Sequence, residues 1–229
     1  KDFIKSLTIQ DTIFPDYDQI FQGTRPICCI QFYSNIFEIV AQNLTHLSLI
    51  DCKEIINQKV DFPNLKHLEL SQVEVDLVNV NAPELIKLTI DKNAIGCAIL
   101  CPFLIKCRKL ESLSLKNSRY FYLCQNRLIL KNLKTFNLEK RKSLKNSELE
   151  ALQKFLFDQK SSLLDVEIDA NLTNLDIFEV LINKLKLRKL IMNKELEFSE
   201  SDWRAAFVNK FKENETIEKL KIKLKITDD

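Results

Sequence analysis

Glycine is nearly missing from this chain: its 229 residues contain two, Gly23 and Gly96. Loops that cradle phosphates use glycine for tight turns and close backbone approach. Neither a Gly-x-Gly-x-x-Gly turn nor a P-loop can be written with this inventory, which excludes dinucleotide and nucleoside-triphosphate sites of those kinds. Histidine is as scarce, with only His46 and His67, and none of the seven cysteines stands in a Cys-x-x-Cys pair. A structural zinc site needs four such ligands, so no metal site is expected, and no cofactor. Excess charge of one sign is absent too. Lys+Arg total 34 against 32 for Asp+Glu, a formal net charge of +2. The whole molecule therefore carries no electrostatic footprint for nucleic acid or an anionic membrane, and neither is an expected partner.

Long hydrophobic runs are also lacking. The longest apolar stretch, 94–105, is too short to span a bilayer and contains Pro102; it reads as buried core. No signal peptide is visible at Lys1, and the chain, which does not begin with Met, reads as a piece of a longer one. Cys28, Cys29, Cys52, Cys97, Cys101, Cys107 and Cys124 sit among apolar residues, as buried free thiols do. Their odd number favours a reducing, intracellular compartment, cytoplasmic or nuclear, with no disulfide framework and with Cys52 a buried thiol. Three sequons, at Asn43, Asn171 and Asn214, point toward an extracellular setting, although an Asn-rich chain produces such triplets by chance.

What the chain has is a repeat. The unit apolar-x-x-apolar-x-apolar occurs as Ile4/Leu7/Ile9, Ile27/Ile30/Phe32, Leu44/Leu47/Leu49, Leu65/Leu68/Leu70 and Leu85/Leu88/Ile90. It continues as Leu110/Leu113/Leu115, Leu133/Phe136/Leu138, Leu163/Val166/Ile168, Leu187/Leu190/Met192 and Ile217/Leu220/Ile222. Leucine is common, so one match means nothing; ten matches, spaced 17 to 30 residues apart, cover nearly the whole chain. The second half of each unit alternates with period two, which predicts a short strand with one buried face. One unit cannot bury its own core, so neighbours must stack, giving a curved parallel sheet on a concave side and return segments on a convex side. The strands are expected to include Leu47–Leu49, Leu68–Leu70, Leu88–Ile90 and Leu113–Leu115.

The returns change along the chain. In the first half they are short, with Phe62-Pro63-Asn64 and Ala82-Pro83-Glu84 placed as turns before a strand. In the second half they lengthen and take helical spacing. Ser147-x-x-Glu150, Thr173-x-x-Asp176 and Ser199-x-x-Asp202 each open such a run in the manner of a capping box. No internal boundary is visible, so residues 1–229 read as one domain of about ten repeats.

These repeats resemble leucine-rich-repeat proteins over the full chain, and the α/β solenoid is the fold that the resemblance implies. The unit Leu44-Thr45-His46-Leu47-Ser48-Leu49-Ile50-Asp51-Cys52-Lys53-Glu54-Ile55 resembles the cysteine-containing repeat of F-box leucine-rich-repeat proteins. The phrases Phe62-Pro63-Asn64-Leu65-Lys66-His67-Leu68 and Cys107-Arg108-Lys109-Leu110-Glu111-Ser112-Leu113 are similar to connectors in that group. In that family an F-box recruits the Skp adaptor of a cullin ubiquitin ligase and the repeats bind the substrate. No F-box occurs in these residues, most units lack the cysteine, and their lengths are irregular.

The register places two outward columns on the concave face. One runs Ser6, Cys29, His46, His67, Lys87, Ser112, Thr135, Asp165, Lys189, Lys219; its neighbour runs Thr8, Gln31, Ser48, Glu69, Thr89, Ser114, Asn137, Glu167, Ile191, Lys221. Most members are polar, as a solvated face requires. His46, His67 and Glu69 make a proton-sensing or metal pair, or two exposed polar residues of a binding surface; the ligand count favours the second. Asp165, Glu167 and Asp169 face outward together. Nothing in an open, wet sheet raises a carboxylate pKa, so they read as an acidic recognition patch and no catalytic residue is expected. The alternating Lys219–Ile226 run reads as an edge strand guarded by lysines. Trp203 and Phe207 read as helix core. Tyr120 and Tyr122 read either as an aromatic anchor for a partner or as convex-side packing.

The expected function is a non-enzymatic protein-interaction scaffold. Its concave face, with His46, His67, Glu69, Lys87, Asp165, Glu167, Asp169 and Lys189, takes a protein or peptide. The F-box resemblance implies substrate recognition for a ubiquitin ligase, with the Skp adaptor bound only through an F-box outside this sequence. The alternative is an extracellular receptor-type or immune-type repeat protein.

Overall fold

A computed structural model of the chain describes residues 4–10, 40–51, 59–73, 76–92, 97–117, 128–140, 144–169, 181, 186–199 and 216–227. It is an α/β chain built on parallel strands, and it divides into two compact units. One comprises residues 1–110 with 118–120; the other comprises 111–117 with 121–229.

In the first unit the strands β1 (Ser6–Gln10), β2 (His46–Ile50), β4 (His67–Ser71) and β6 (Lys87–Asp91) lie side by side in chain order. All pair in parallel, with Leu7, Leu47, Leu68 and Leu88 on one level and Ile9, Leu49, Leu70 and Ile90 on the next. Two short strands, β3 (Val60–Asp61) and β5 (Val80–Asn81), pair in parallel in the return segments. A 3₁₀ turn, Leu77–Asn79, precedes β5; the Asp76 side chain caps it by accepting from Val78 N–H at 3.1 Å.

In the second unit β7 (Ser112–Lys116), β8 (Thr135–Glu139), β9 (Asp165–Asp169), β10 (Lys189–Ser199) and β11 (Lys219–Thr227) follow the same rule, again all parallel and in chain order. The strands expected at Leu47–Leu49, Leu68–Leu70, Leu88–Ile90 and Leu113–Leu115 are all present. The Leu68 and Leu88 strands run in the same sense.

The apolar-x-x-apolar-x-apolar positions are the core. From Leu44 to Met192 the three apolar residues of every such unit are buried. Full burial of one leucine contributes about 1.5–3 kcal/mol, against a net of about 1 kcal/mol for a hydrogen bond. Stacking of these levels therefore drives assembly, and the backbone bonds fix its register. Those bonds repeat atom for atom. Lys66 and His67 N–H both donate to the Thr45 carbonyl, Ile86 and Lys87 N–H to Lys66, Leu164 and Asp165 N–H to Lys134, and Arg188 and Lys189 N–H to Leu164. Thr45 and His46 to Lys5, Lys134 and Thr135 to Glu111, and Glu218 and Lys219 to Arg188 complete the series.

Each first leucine is reached through a tight turn. The Leu65, Leu85, Leu110 and Leu133 N–H groups donate to the carbonyls of Phe62, Ala82, Cys107 and Leu130. Pro63 and Pro83 stand second in their turns, where proline's fixed φ fits. Just after β2, β4, β6 and β7 the chain takes a positive φ of 50–54° at Asp51, Gln72, Lys92 and Asn117. Glycine suits that conformation best, yet none of the four is glycine.

Several expectations change. β1 pairs directly with β2; the unit expected at Ile27/Ile30/Phe32 lies outside the described residues. The return after β6 holds a helix, α1 (Cys97–Lys106), where a short irregular segment was expected. Its Pro102 is exposed while Leu100, Phe103 and Leu104 are buried.

The helix expected from Ser147 is α2 (Asn146–Asp158), and it buries Leu149, Leu152, Phe155 and Leu156 as its spacing predicts. Its cap lies two residues earlier. Glu148 Oε2 accepts the Lys145 N–H at 2.8 Å, which is half of a capping box. Glu148 also pairs with Lys140 at the end of β8, and this link fixes the helix start there. Phe136 and Phe155 pack with centroids 5.1 Å apart, joining β8 to α2. β10 runs on to Ser199, which was expected to cap a helix. The helices expected after Thr173 and Ser199, with Trp203 and Phe207, lie outside the described residues. Among the described residues no helix is long and apolar enough to cross a membrane.

Candidate functional site

Strand alternation decides what each unit shows to solvent. In the first unit one outward column runs Ser6, His46, His67, Lys87 and the next runs Thr8, Ser48, Glu69, Thr89, all in register. His46, His67, Glu69 and Lys87 are exposed. The imidazoles touch edge to face, with ring centroids 4.2 Å apart and planes at 77°. Thr45 Oγ1 donates to the Lys5 carbonyl at 2.9 Å and lies 2.9 Å from His46 Nδ1. A hydroxyl has one proton, and this one is committed to the carbonyl. His46 Nδ1 is therefore the donor to Thr45, and Nε2 is the nitrogen open to a further proton. Ser48 Oγ donates to Glu69 Oε2 at 3.3 Å.

The pKa of His67 is lowered, first by partial desolvation and then by the positive fields of His46, Lys87 and Lys66. Above this pair, Gln72 Nε2 donates to Asp51 Oδ1, and Ser71 Oγ donates to Asp91 Oδ2 at 3.4 Å. Among the described residues no group of three or more His, Cys, Asp or Glu converges as a metal site.

In the second unit Asp165, Glu167 and Asp169 share the outward side of β9, as expected, but they are half-buried and already engaged. Arg188 clasps Asp165 with two bonds, Nε to Oδ1 at 3.2 Å and Nη2 to Oδ2 at 2.8 Å. That clasp raises the pKa of Arg188 further. Asn193 Nδ2 donates to Glu167 Oε1 at 2.9 Å. Lys189 stands in register with Asp165 on one side and Lys219 on the other, so an acidic stretch borders a basic one. The alternating lysine run is β11, the last strand of this sheet.

Sequence reasoning did not find Arg188 or Asn193. Each acts on the strand before its own, and only the register shows that. Two outward positions differ from expectation: Ser114, 8% exposed with no hydrogen-bond partner for its Oγ, and Ile191, 8% exposed. Both are covered rather than open to solvent.

Cys101 and Cys107 are buried and stand outside any disulfide. Burial pushes the Cys107 thiol up to about 12, against a small opposing pull from Lys106, so it stays protonated and unreactive. Tyr120, Tyr122 and Cys52 lie outside the described residues. Compared with models of known protein families the chain matches none, and a search of curated proteins likewise returns no match.

Proposed function

We propose that the chain is a leucine-rich-repeat solenoid whose strand face binds a protein or peptide partner, a non-enzymatic scaffold serving as the substrate-recognition region of an F-box type ubiquitin ligase subunit. One observation carries the reading. Across β2, β4 and β6, and again across β7, β8 and β9, parallel strands in matching register present outward side chains as columns above buried apolar levels. Side chains held by a rigid sheet lose little entropy on binding, which suits them to recognition. The engagement of Asp165 by Arg188 and of Glu167 by Asn193 supports a recognition surface, since it holds both side chains in fixed positions. Buried cysteines outside any disulfide, Cys101 and Cys107, support an intracellular, reducing setting. The Skp adaptor enters this proposal only through an F-box elsewhere in a longer chain.

The test is capture of the partner by the full-length protein with neutral substitutions. Charge reversal at β9 would set lysines against Arg188 and disturb packing, so Asp165→Asn with Glu167→Gln is the cleaner pair. Capture is expected to weaken several-fold, in line with about 1 kcal/mol per rim charge, and to fall as salt rises. Unchanged capture by the double variant, with loss on replacing Tyr120 or Tyr122 by Ala, would move the binding surface away from the strand face.

A further inference from the structure

The molecule's only two histidines stand on adjacent strands, in register and in ring contact. The charges around them are unbalanced. From the start of β1 comes Lys5, from the turn before β4 comes Lys66, and from β6 comes Lys87, all exposed. The carboxylate in the neighbouring column is Glu69, which Ser48 already engages. Asp91, on the far level of β6, accepts from Ser71. Glu84, in the turn before β6, is paired with Lys109. Among the described residues this column thus gathers proton acceptors and three lysines, against the one carboxylate, Glu69, of the neighbouring column. A divalent metal would meet two imidazole ligands and three lysines that repel it. A carboxylate would meet an attractive field from both sides.

We propose that the column Ser6–His46–His67–Lys87 is a proton-coupled docking site for an acidic peptide segment of the partner, with the histidine pair taking up a proton as that segment seats. This inference rests on the scaffold reading and adds the partner's chemistry. In the free site partial desolvation, and then the positive fields of His46, Lys87 and Lys66, oppose a charge on His67. An incoming carboxylate cancels that opposition, and the proton then binds at little cost. Thr45 engages His46 Nδ1, which leaves Nε2 as the ring nitrogen free for contact with the segment. Strands spaced about 4.8 Å apart set His46, His67 and Lys87 along roughly 10 Å, a length that two or three acidic residues of an extended segment cover.

The probe is a rhodamine-labelled hexaglutamate peptide, followed by anisotropy at low salt at about pH 7.5 and about pH 5.5, a range in which glutamate stays ionised. Affinity is expected to rise roughly five- to tenfold on acidification. Calorimetry in two buffers of different ionisation enthalpy is expected to show net proton uptake. In the double variant His46→Gln/His67→Gln the rise and the uptake both disappear. Lys87→Gln weakens binding at both pH values and keeps the rise. Binding that ignores pH, a rise that persists without the histidines, or no binding of hexaglutamate at either pH overturns the proposal. None of these outcomes touches the Asp165/Glu167 test, so failure here and failure of the scaffold reading are separable.

Discussion

His67 makes the stability of the molecule respond to mild acid. Its folded-state pKa lies below the ordinary value of about 6.5, which the unfolded chain keeps. Between those two values the unfolded chain binds more proton than the folded one, so stability falls as pH drops through that window and levels off below it. Urea unfolding at about pH 7.5 and about pH 5.5 is expected to show this loss, and His67→Gln is expected to remove that part of it. A pH dependence identical in the variant would mean the imidazole is not opposed by its neighbours. The four positive-φ residues raise a different matter. Asp51 and Asn117 tolerate that conformation with some local relief, whereas Gln72 and Lys92 have none. Gln72 and Asn117 also reach a neighbouring repeat, Gln72 to Asp51 and Asn117 Nδ2 to Glu139 at 3.2 Å. A glycine would be easier for the backbone but would make neither bond.

At the scale of elements, the turn before β8 hangs on one side chain of the segment after α2. Gln159 is 1% exposed; its Nε2 donates to the Leu128 carbonyl at 2.6 Å and its Oε1 accepts the Leu130 N–H at 2.8 Å. Gln159→Ala strands both backbone groups. Each costs about 1–3 kcal/mol when buried without a partner, so a loss of about 2–6 kcal/mol in chemical denaturation is expected. A loss under about 0.5 kcal/mol would mean that the segment does not depend on this bridge. Nothing in the sequence marks Gln159, because its partners lie some thirty residues away and are backbone atoms. The strands themselves were legible, since one buried face forces apolar residues to alternate and the first leucine recurs at a fixed offset. α1 was not: the stretch is apolar nearly all round, so no amphipathic stripe stands out, and Pro102 argues locally against a helix. The start of α2 was misplaced because Lys145 offers no capping oxygen, and Glu148 does the work from within the helix.

At the scale of the chain, β1 and β11 each pair with one strand among the described residues. Ile4 beside β1 is 53% exposed and Leu220 of β11 is 44% exposed, where their counterparts in inner repeats are buried. Amides of β1 and β11 are therefore expected to exchange hydrogen faster than those of β4 and β8, as mass spectrometry of deuterium uptake would read. Equal protection throughout would point to a single cooperative block. The columns of the candidate site were legible for the same reason as the strands, since one register fixes both faces. The Arg188 clasp was not, because it depends on which strand lies next to which. The strand starts have a consequence for ancestry. Each junction made there uses two N–H groups and a carbonyl of the preceding repeat, atoms that every non-proline residue carries. Such a seam accepts almost any sequence on either side, so a repeat can be duplicated, deleted or exchanged as a cassette by recombination. What each cassette brings is its own outward side chains, and partner choice can diverge while the seam stays the same.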